Sequence, residues 1–228
     1  MDWRAGCAAV IPCLNEAATV GPLVEAIKLR IPTVLVVDDG SIDGTQQAAT
    51  GAGARVLRHE ITRGKGAALQ TGWRWTHDAG FEWALSLDGD GQHSPEDIPS
   101  FFDCAERTAA MLVVGNRMTQ APQMPMIRRV VNRWLSRQLS KLSVQSLPDS
   151  QCGFRLVNLR VWAGLPSQSE HFEIESEILM GFLRARYKVE FVPIRVIYKA
   201  EQSKIHPLRD SLRWFRWFNN VRRPPQKH

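Results

Sequence analysis

The stretch FEWALSLDGDGQH (residues 81–93) sets an apolar run, Trp83 to Leu87, directly against two aspartates one residue apart, Asp88 and Asp90. A short apolar run that ends in Asp and Gly reads as a buried strand followed by a turn. Two carboxylates so close repel each other, so a metal ion, helix N-termini or water must hold them together. Working upstream, the same layout recurs. CAAVIP (7–12) is a short apolar run followed by Asn15 and Glu16, and TVLVVDDGS (33–41) is a β-branched run that ends in Asp38 and Asp39. ARVLRH (54–59) is a third strand-like run. Between these runs lie helical patterns: residues 16–30 with Val20, Leu23, Val24 and Ile27 at helical spacing, Thr45 to Gly51, and residues 64–80, opened by glycines. A series of short βα units predicts an α/β fold with a mostly parallel sheet and helices on both faces. Ligands of such sheets bind at the carboxyl ends of the strands, where the polar residues Asn15, Glu16, Asp38, Asp39, Asp88 and Asp90 all fall.

Beyond the acid pair the alternation is less regular. MLVVGNRM (111–118) reads as a fifth strand that leaves through Gly115 and Arg117. Residues 126–143 predict a helix with Arg129, Arg133, Arg137 and Lys141 at intervals of four, opposite Ile127, Val130, Val131, Trp134, Leu135 and Leu142. CGFRLV (152–157) and KVEFVPIRVIYK (188–199) are strand-like, with a helix through 173–186 between them. Residues 207–223 predict a second basic amphipathic helix, closed by Pro224 and Pro225. The expected organisation is one domain over residues 1–205, including the helix at 126–143, and a basic appendage over 206–228.

A chain of 228 residues, 44% apolar and 23% charged, suffices for one sizeable core and contains no low-complexity stretch. No run approaches the roughly 18 uninterrupted apolar residues of a membrane span, and the N-terminal run is too short for a signal peptide. Cys7, Cys13, Cys104 and Cys152 lack CxxC spacing and predict free thiols in a reducing cytoplasm. Residues 1–123 hold 10 Lys/Arg against 15 Asp/Glu, whereas residues 124–228 hold 19 against 8. The basic half therefore points to a partner rich in negative charge: phosphates, nucleic acid or an anionic membrane face.

In a loop after a strand, Glu16 and Asp39 are acceptors suited to a ribose or a base edge, and Gly40 and Gly44 allow tight turns. In order, PCLNE (12–16), DDGSIDGT (38–45), RGKGAA (63–68) and DGDGQH (88–93) resemble the motifs of family 2 glycosyltransferases with the GT-A fold. The likeness is strongest to the dolichyl- and polyprenyl-phosphate mannose and glucose synthases, and it extends over residues 7–205. It implies an inverting hexosyl transfer from a nucleotide sugar of the GDP-mannose or UDP-glucose type to a polyprenyl phosphate. It further implies that Asp88, Asp90 and Gln92 ligate Mg²⁺ or Mn²⁺, hard cations that prefer oxygen donors. Pro12, Leu14, Glu16, Val37 and Asp39 match the family's nucleoside pocket, although Leu14 stands where an aromatic residue is frequent. Lys65 and Gly89 join that donor set. GNR (115–117) and SLPDSQCGFRL (146–156) match segments that place Arg117, Asp149 and Arg155 with Asp90 in the catalytic group. YKAEQSK (198–204) resembles a lid whose Lys199 and Lys204 close on the diphosphate, and Arg129 and Arg133 match acceptor-phosphate arginines.

The resemblance also implies a membrane surface, because a polyprenyl chain leaves lipid only at high cost. Trp214, Phe215, Trp217 and Phe218 among Arg209, Arg213, Arg216, Arg222 and Arg223 have the chemistry of a helix lying in a headgroup interface. Many relatives append transmembrane helices that these residues do not show, so the expectation is a peripheral protein on a cytoplasmic membrane face, or one recruited by a membrane-protein partner. A sugar-hydroxyl acceptor in polysaccharide or glycolipid assembly is the alternative, and it would need a base such as Glu173 or Glu175. A phosphate acceptor is already an anion and needs none. Nucleic acid is not an expected partner, since no nucleic-acid motif accompanies the arginines.

Overall fold

The computed structural model describes residues 2–119, 124–143, 145–166, 169–197 and 213–219. In chain order its elements are α1 (Trp3–Gly6), β1 (Cys7–Cys13), α2 (Ala17–Lys28), β2 (Val34–Asp38), α3 (Thr45–Gly51), β3 (Arg55–Arg58), α4 (Lys65–Asp78) and β4 (Trp83–Ser86). A 3₁₀ turn, Pro95–Asp97, leads into α5 (Ile98–Thr108), and β5 (Leu112–Asn116), α6 (Met126–Ser140) and β6 (Arg155–Asn158) follow. The chain continues through α7 (Leu159–Ala163), α8 (Ile174–Arg184), β7 (Val189–Pro193) and a helical segment, α9, at 213–219. Lys199 and Lys204 lie outside the described residues.

The seven strands form one sheet in the order β3-β2-β1-β4-β6-β5-β7. All neighbours are parallel except β6, which runs antiparallel to both β4 and β5. The expected mostly parallel α/β sheet is thus present, with one reversed strand inside it. β1, β2 and β4 are buried along their whole lengths, as continuous apolar runs must be when helices cover both faces of a sheet. Each fully buried aliphatic side chain there contributes about 1.5–3 kcal/mol. α4 lies against β1, β2 and β4, and Gly72 brings it close: a Cβ at that position would stand 2.4 Å from Cγ1 of Val10.

From β1 the chain winds outward to β3 and then returns to place β4 on the other side of β1. The reversal puts the loops after β1 and β4 side by side, the arrangement that opens a ligand crevice in sheets of this kind.

Three parts of the molecule go beyond the sequence reading. Residues 94–110, to which the sequence reading assigns no element, hold the 3₁₀ turn and α5, whose Ile98, Phe101, Cys104 and Ala105 are buried. The second part is α6. Its inward face is Asn132, Ser136 and Leu139, while Ile127 is 80%, Val130 60%, Val131 46% and Trp134 41% exposed. The inward polar face has a cause: Asn132 Nδ2 donates to the buried carboxylate of Asp149 at 3.0 Å, and the hydroxyls of Ser136 and Ser150 lie 3.1 Å apart. A buried anion requires donors, so that requirement orients the helix. The third part is α9. Trp214 and Phe218 are members of the main core, and Trp214 Nε1 donates to Ser176 Oγ at 3.0 Å. Only part of the aromatic set read as lipid-facing therefore faces outward, with Phe215 43% exposed.

Candidate active site

The loops after β1 and β2 are fastened to each other. Asn15, in the left-handed region at φ 54°, donates its N–H to Ser41 Oγ at 2.9 Å, and its Oδ1 accepts from Ile42 N at 2.9 Å. Glu16 N donates to Thr45 Oγ1 at 2.8 Å. Pro12 and Val37 are buried in the strands beneath these loops, Leu14 and Glu16 are half-buried, and Asp39 is buried. Asp39 does not project its carboxylate toward an open pocket. Its oxygens accept from His59 Nδ1 at 2.7 Å, Arg63 N at 2.9 Å and Gly64 N at 2.8 Å. Its geometry is that of a brace for the RGKG turn, with three of the carboxylate's accepting positions filled by the protein's own donors.

That brace sets the start of α4. Gly64 has φ 107°, and a Cβ on it would fall 2.1 Å from His171 Nδ1; a Cβ on Gly66 would fall 2.4 Å from Ser169 O. The glycines of RGKG thus admit residues 169–171, which lead into α8, and leave Lys65 as the first helical side chain.

At the end of β4, Gly89 is held by Thr19 Oγ1, which donates to its carbonyl at 2.7 Å; a Cβ there would fall 2.6 Å from Cys13 Sγ. On one side Asp88 lies 2.6 Å from Lys65 Nζ, and on the other 3.6 Å from His93 Nε2. Lys65 Nζ lies a further 2.6 Å from Glu175 Oε1. Asp90 Oδ1 accepts from Gln92 N at 3.0 Å. Burial favours the neutral form of Asp88, but the charge of Lys65 and the hydrogen bond from His93 outweigh it and hold this carboxyl well below the usual range. Burial and the charge of Asp88 push Asp90 the other way, upward. Burial alone would lower Lys65, yet Asp88 and Glu175 together hold it above its ordinary value.

Lys65 thus bridges Asp88 and Glu175, and Asp90 feels the negative charge of Asp88. Asp88, Asp90 and the Gln92 amide are hard oxygen donors within one short loop, a donor set that fits Mg²⁺ or Mn²⁺. Among the described residues no third His, Cys, Asp or Glu joins the pair to form a closed cage.

Arg117 sits beside this cluster. Its Nε donates to Asp149 Oδ2 at 2.8 Å and its Nη2 to Oδ1 at 2.9 Å, while its backbone N–H donates to Oδ2 at 3.1 Å. Burial would raise Asp149, but the guanidinium charge and these bonds hold it below its ordinary value. Arg155, grouped with the catalytic residues from sequence, is 2% exposed and turned into the core. Its three nitrogens donate to the carbonyls of Cys152, Glu175 and Ser150 at 2.7, 2.6 and 2.9 Å, which ties the strand to the start of α8. Arg129 and Arg133 lie on α6 within a turn of Asn132, away from the acid pair in sequence but next to the Asp149 network.

Sequence reasoning passed over two members of the site. His93 is buried, with its ring centroid 5.4 Å from that of Phe154. Gly153 gives Asp88 room, since a Cβ there would fall 2.6 Å from Asp88 Oδ1. Both stood in quoted motifs, His93 at the end of DGDGQH and Gly153 at the start of GFR, without a role of their own.

A doubly wound sheet with an acid pair at the reversal of strand order, walled by a glycine-opened helix, has the architecture of a GT-A glycosyltransferase. The chain belongs to that group: residues 8–160 match the model of glycosyl transferase family 2. It is 26% identical over 212 residues to the UDP-N-acetylglucosamine–dolichyl-phosphate N-acetylglucosaminyltransferase of Methanococcus voltae, covering 83% of this chain and 84% of that enzyme. To the undecaprenyl-phosphate mannosyltransferase of Micrococcus luteus it is 31% identical, over 64% of this chain and 63% of that enzyme. Among solved structures it resembles glucosyl-3-phosphoglycerate synthase from Mycobacterium tuberculosis in complex with Mn²⁺, UDP and phosphoglyceric acid. The TM-score is 0.67 at 21% identity, over 95% of this chain and 77% of that one. The protein is thus a family 2 glycosyltransferase, and relatives at this level include polyprenyl-phosphate sugar transferases.

Proposed function

We propose that the protein transfers a hexose, with inversion, from a nucleotide sugar of the GDP-mannose or UDP-glucose type to a polyprenyl phosphate at a membrane surface. The observation that carries this reading is the acid pair at the end of β4, with Asp88 held 2.6 Å from Lys65 Nζ and Glu175 on the same ammonium. Asp88, Asp90 and Gln92 would hold Mg²⁺ or Mn²⁺, which supplies Lewis-acid stabilisation to a departing nucleoside diphosphate. The loops after β1 and β2 form the nucleoside wall, with Pro12, Leu14, Glu16 and Val37 contributing shape and Asp39 keeping the RGKG turn in position. Gly89 allows the donor to approach the backbone. Arg117, fixed in direction by Asp149, presents cationic charge to phosphate oxygens beside the acid pair. Arg155 serves by positioning, through the carbonyls it joins.

A phosphate acceptor fits the acids better than a hydroxyl acceptor does. Glu175 is 4% exposed and faces Lys65, so it is poorly placed to take a proton from an incoming hydroxyl. The acceptor side offers lipid chemistry. Ile127, Val130, Val131, Trp134 and Phe215 are exposed among the arginines of α6 and α9, which suits a headgroup layer with anionic phosphates. Among the described residues no helix is long and apolar enough to cross a membrane. Arg129 and Arg133 are the candidates for the acceptor phosphate, and four buried free thiols suit the cytoplasmic face.

The test is a thermal-shift panel of GDP- and UDP-sugars with and without Mn²⁺, followed by product assay with undecaprenyl phosphate. Stabilisation by one donor that requires the metal, and label appearing in the lipid fraction, is the expected result. Transfer that proceeds undiminished in EDTA would overturn the metal assignment. Label found only on a free saccharide would overturn the acceptor.

A further inference from the structure

Lys65 has two carboxylate partners at the same 2.6 Å distance, and they are unlike each other. Glu175 is the buried anchor: its side chain is 4% exposed, and its backbone carbonyl accepts from Arg155 Nη1 at 2.6 Å. Asp88 is the accessible one, 27% exposed, and belongs to the proposed metal pair. The backbone of Lys65 cannot shift, because Gly64 N is held by Asp39 and Gly66 is pressed against Ser169. Only the flexible stem of the side chain can swing.

Resting on the metal reading above, we propose that Lys65 is a tethered counter-ion that makes metal binding conditional on the nucleotide. One oxygen, Asp88 Oδ1, is the ammonium's contact, and a cation ligated by Asp88 must meet that ammonium at close range. Two like charges around one carboxylate oppose each other, so the bare ion binds weakly. A nucleoside diphosphate changes the balance, because its phosphate oxygens offer the ammonium new acceptors within reach of the same stem. Metal and nucleotide then bind with positive coupling, and by linkage each raises the affinity of the other by the same factor. Without a donor, Glu175 retains the ammonium over the site.

The experiment is Mn²⁺ titration followed by electron paramagnetic resonance, with and without GDP or UDP, on the wild-type protein and on Lys65→Met and Lys65→Arg, with nucleotide-only titrations subtracted. In the wild type the nucleotide should tighten Mn²⁺ by about tenfold, within the usual range of coupling between sites. Lys65→Met should bind Mn²⁺ alone about tenfold more tightly than wild type, with coupling reduced towards one, and Lys65→Arg should restore the coupling. Loss of a positive charge acting only at a distance would tighten Mn²⁺ equally with and without nucleotide. That outcome, or wild-type coupling in Lys65→Met, overturns the proposal. Circular dichroism checks the fold, and if Lys65→Met does not fold, Lys65→Gln takes its place. Absence of coupling in the wild-type protein also overturns the proposal while leaving the metal site standing. Failure of the wild type to bind Mn²⁺ with either nucleotide defeats the metal reading and this inference together.

Discussion

The two flanks of the crevice are built on opposite plans. On the β1–β2–β4 side, acids and glycines are locked by internal hydrogen bonds, from Asn15–Ser41 through Asp39–Gly64 to Thr19–Gly89. On the α6–α9 side, a polar helix face is turned inward around Asp149, and apolar side chains are left in the open. The first plan fixes charged and backbone groups in place. The second leaves an apolar surface beside arginines. Under the proposed function, the first serves the donor and the second the lipid, with Arg117–Asp149 as the joint between them.

The contrast can be broken at several points, in descending order of expected effect. Asp90→Asn removes a charge from the acid pair and should lower transfer about a thousandfold, ~4 kcal/mol in the barrier, with an unchanged circular dichroism spectrum. Wild-type turnover in that variant would dissociate the acid pair from the chemistry.

The joint itself comes next. Asp149→Asn leaves Arg117 without its buried partner and should cost about 3 kcal/mol of stability in urea unfolding. It also has a pH signature. The folded carboxyl of Asp149 lies below its unfolded value, so its contribution is full above the unfolded pKa of about 3.9 and is lost as pH falls through the folded one. Unfolding curves from pH 7 to pH 3 should therefore show a smaller acid loss in Asp149→Asn than in wild type. Equal losses would mean that the pair contributes little.

Rigidity of the donor flank is tested by Gly72→Ala. The added methyl group would meet Val10 at 2.4 Å and should cost about 1–3 kcal/mol through overpacking, read as a lower melting temperature. The smallest effect is expected on the open flank. Trp134→Ser should weaken co-sedimentation with vesicles containing anionic lipid by about tenfold, while donor stabilisation in thermal shift is unchanged. Undiminished vesicle binding would move the membrane contact elsewhere.

The strands and the polar residues at their ends were legible because that information is local. An apolar run of period-independent burial, followed by Asp, Gly or Asn, announces a strand inside a covered sheet and the turn that leaves it. Asp88 and Asp90 could be read this way, and so could the glycine-opened start of α4, whereas Gln92 came from the family resemblance. α5 was missed because the apolar residues Ile98, Phe101 and Ala105 follow a Pro-rich turn that reads as loop. The antiparallel insertion of β6 between β4 and β5 has no local signature at all.

Linear order along the chain was enough for the class of fold, the acid pair and the family, because each depends on neighbours a few residues apart. Folding in three dimensions settled which of those side chains are available. It joined Lys65 to Glu175 across 110 positions, consumed Asp39 as a brace, and turned Arg155 inward. It also decided which face of α6 turns inward, because a buried carboxylate must have donors and Asn132 was the helix residue able to supply one.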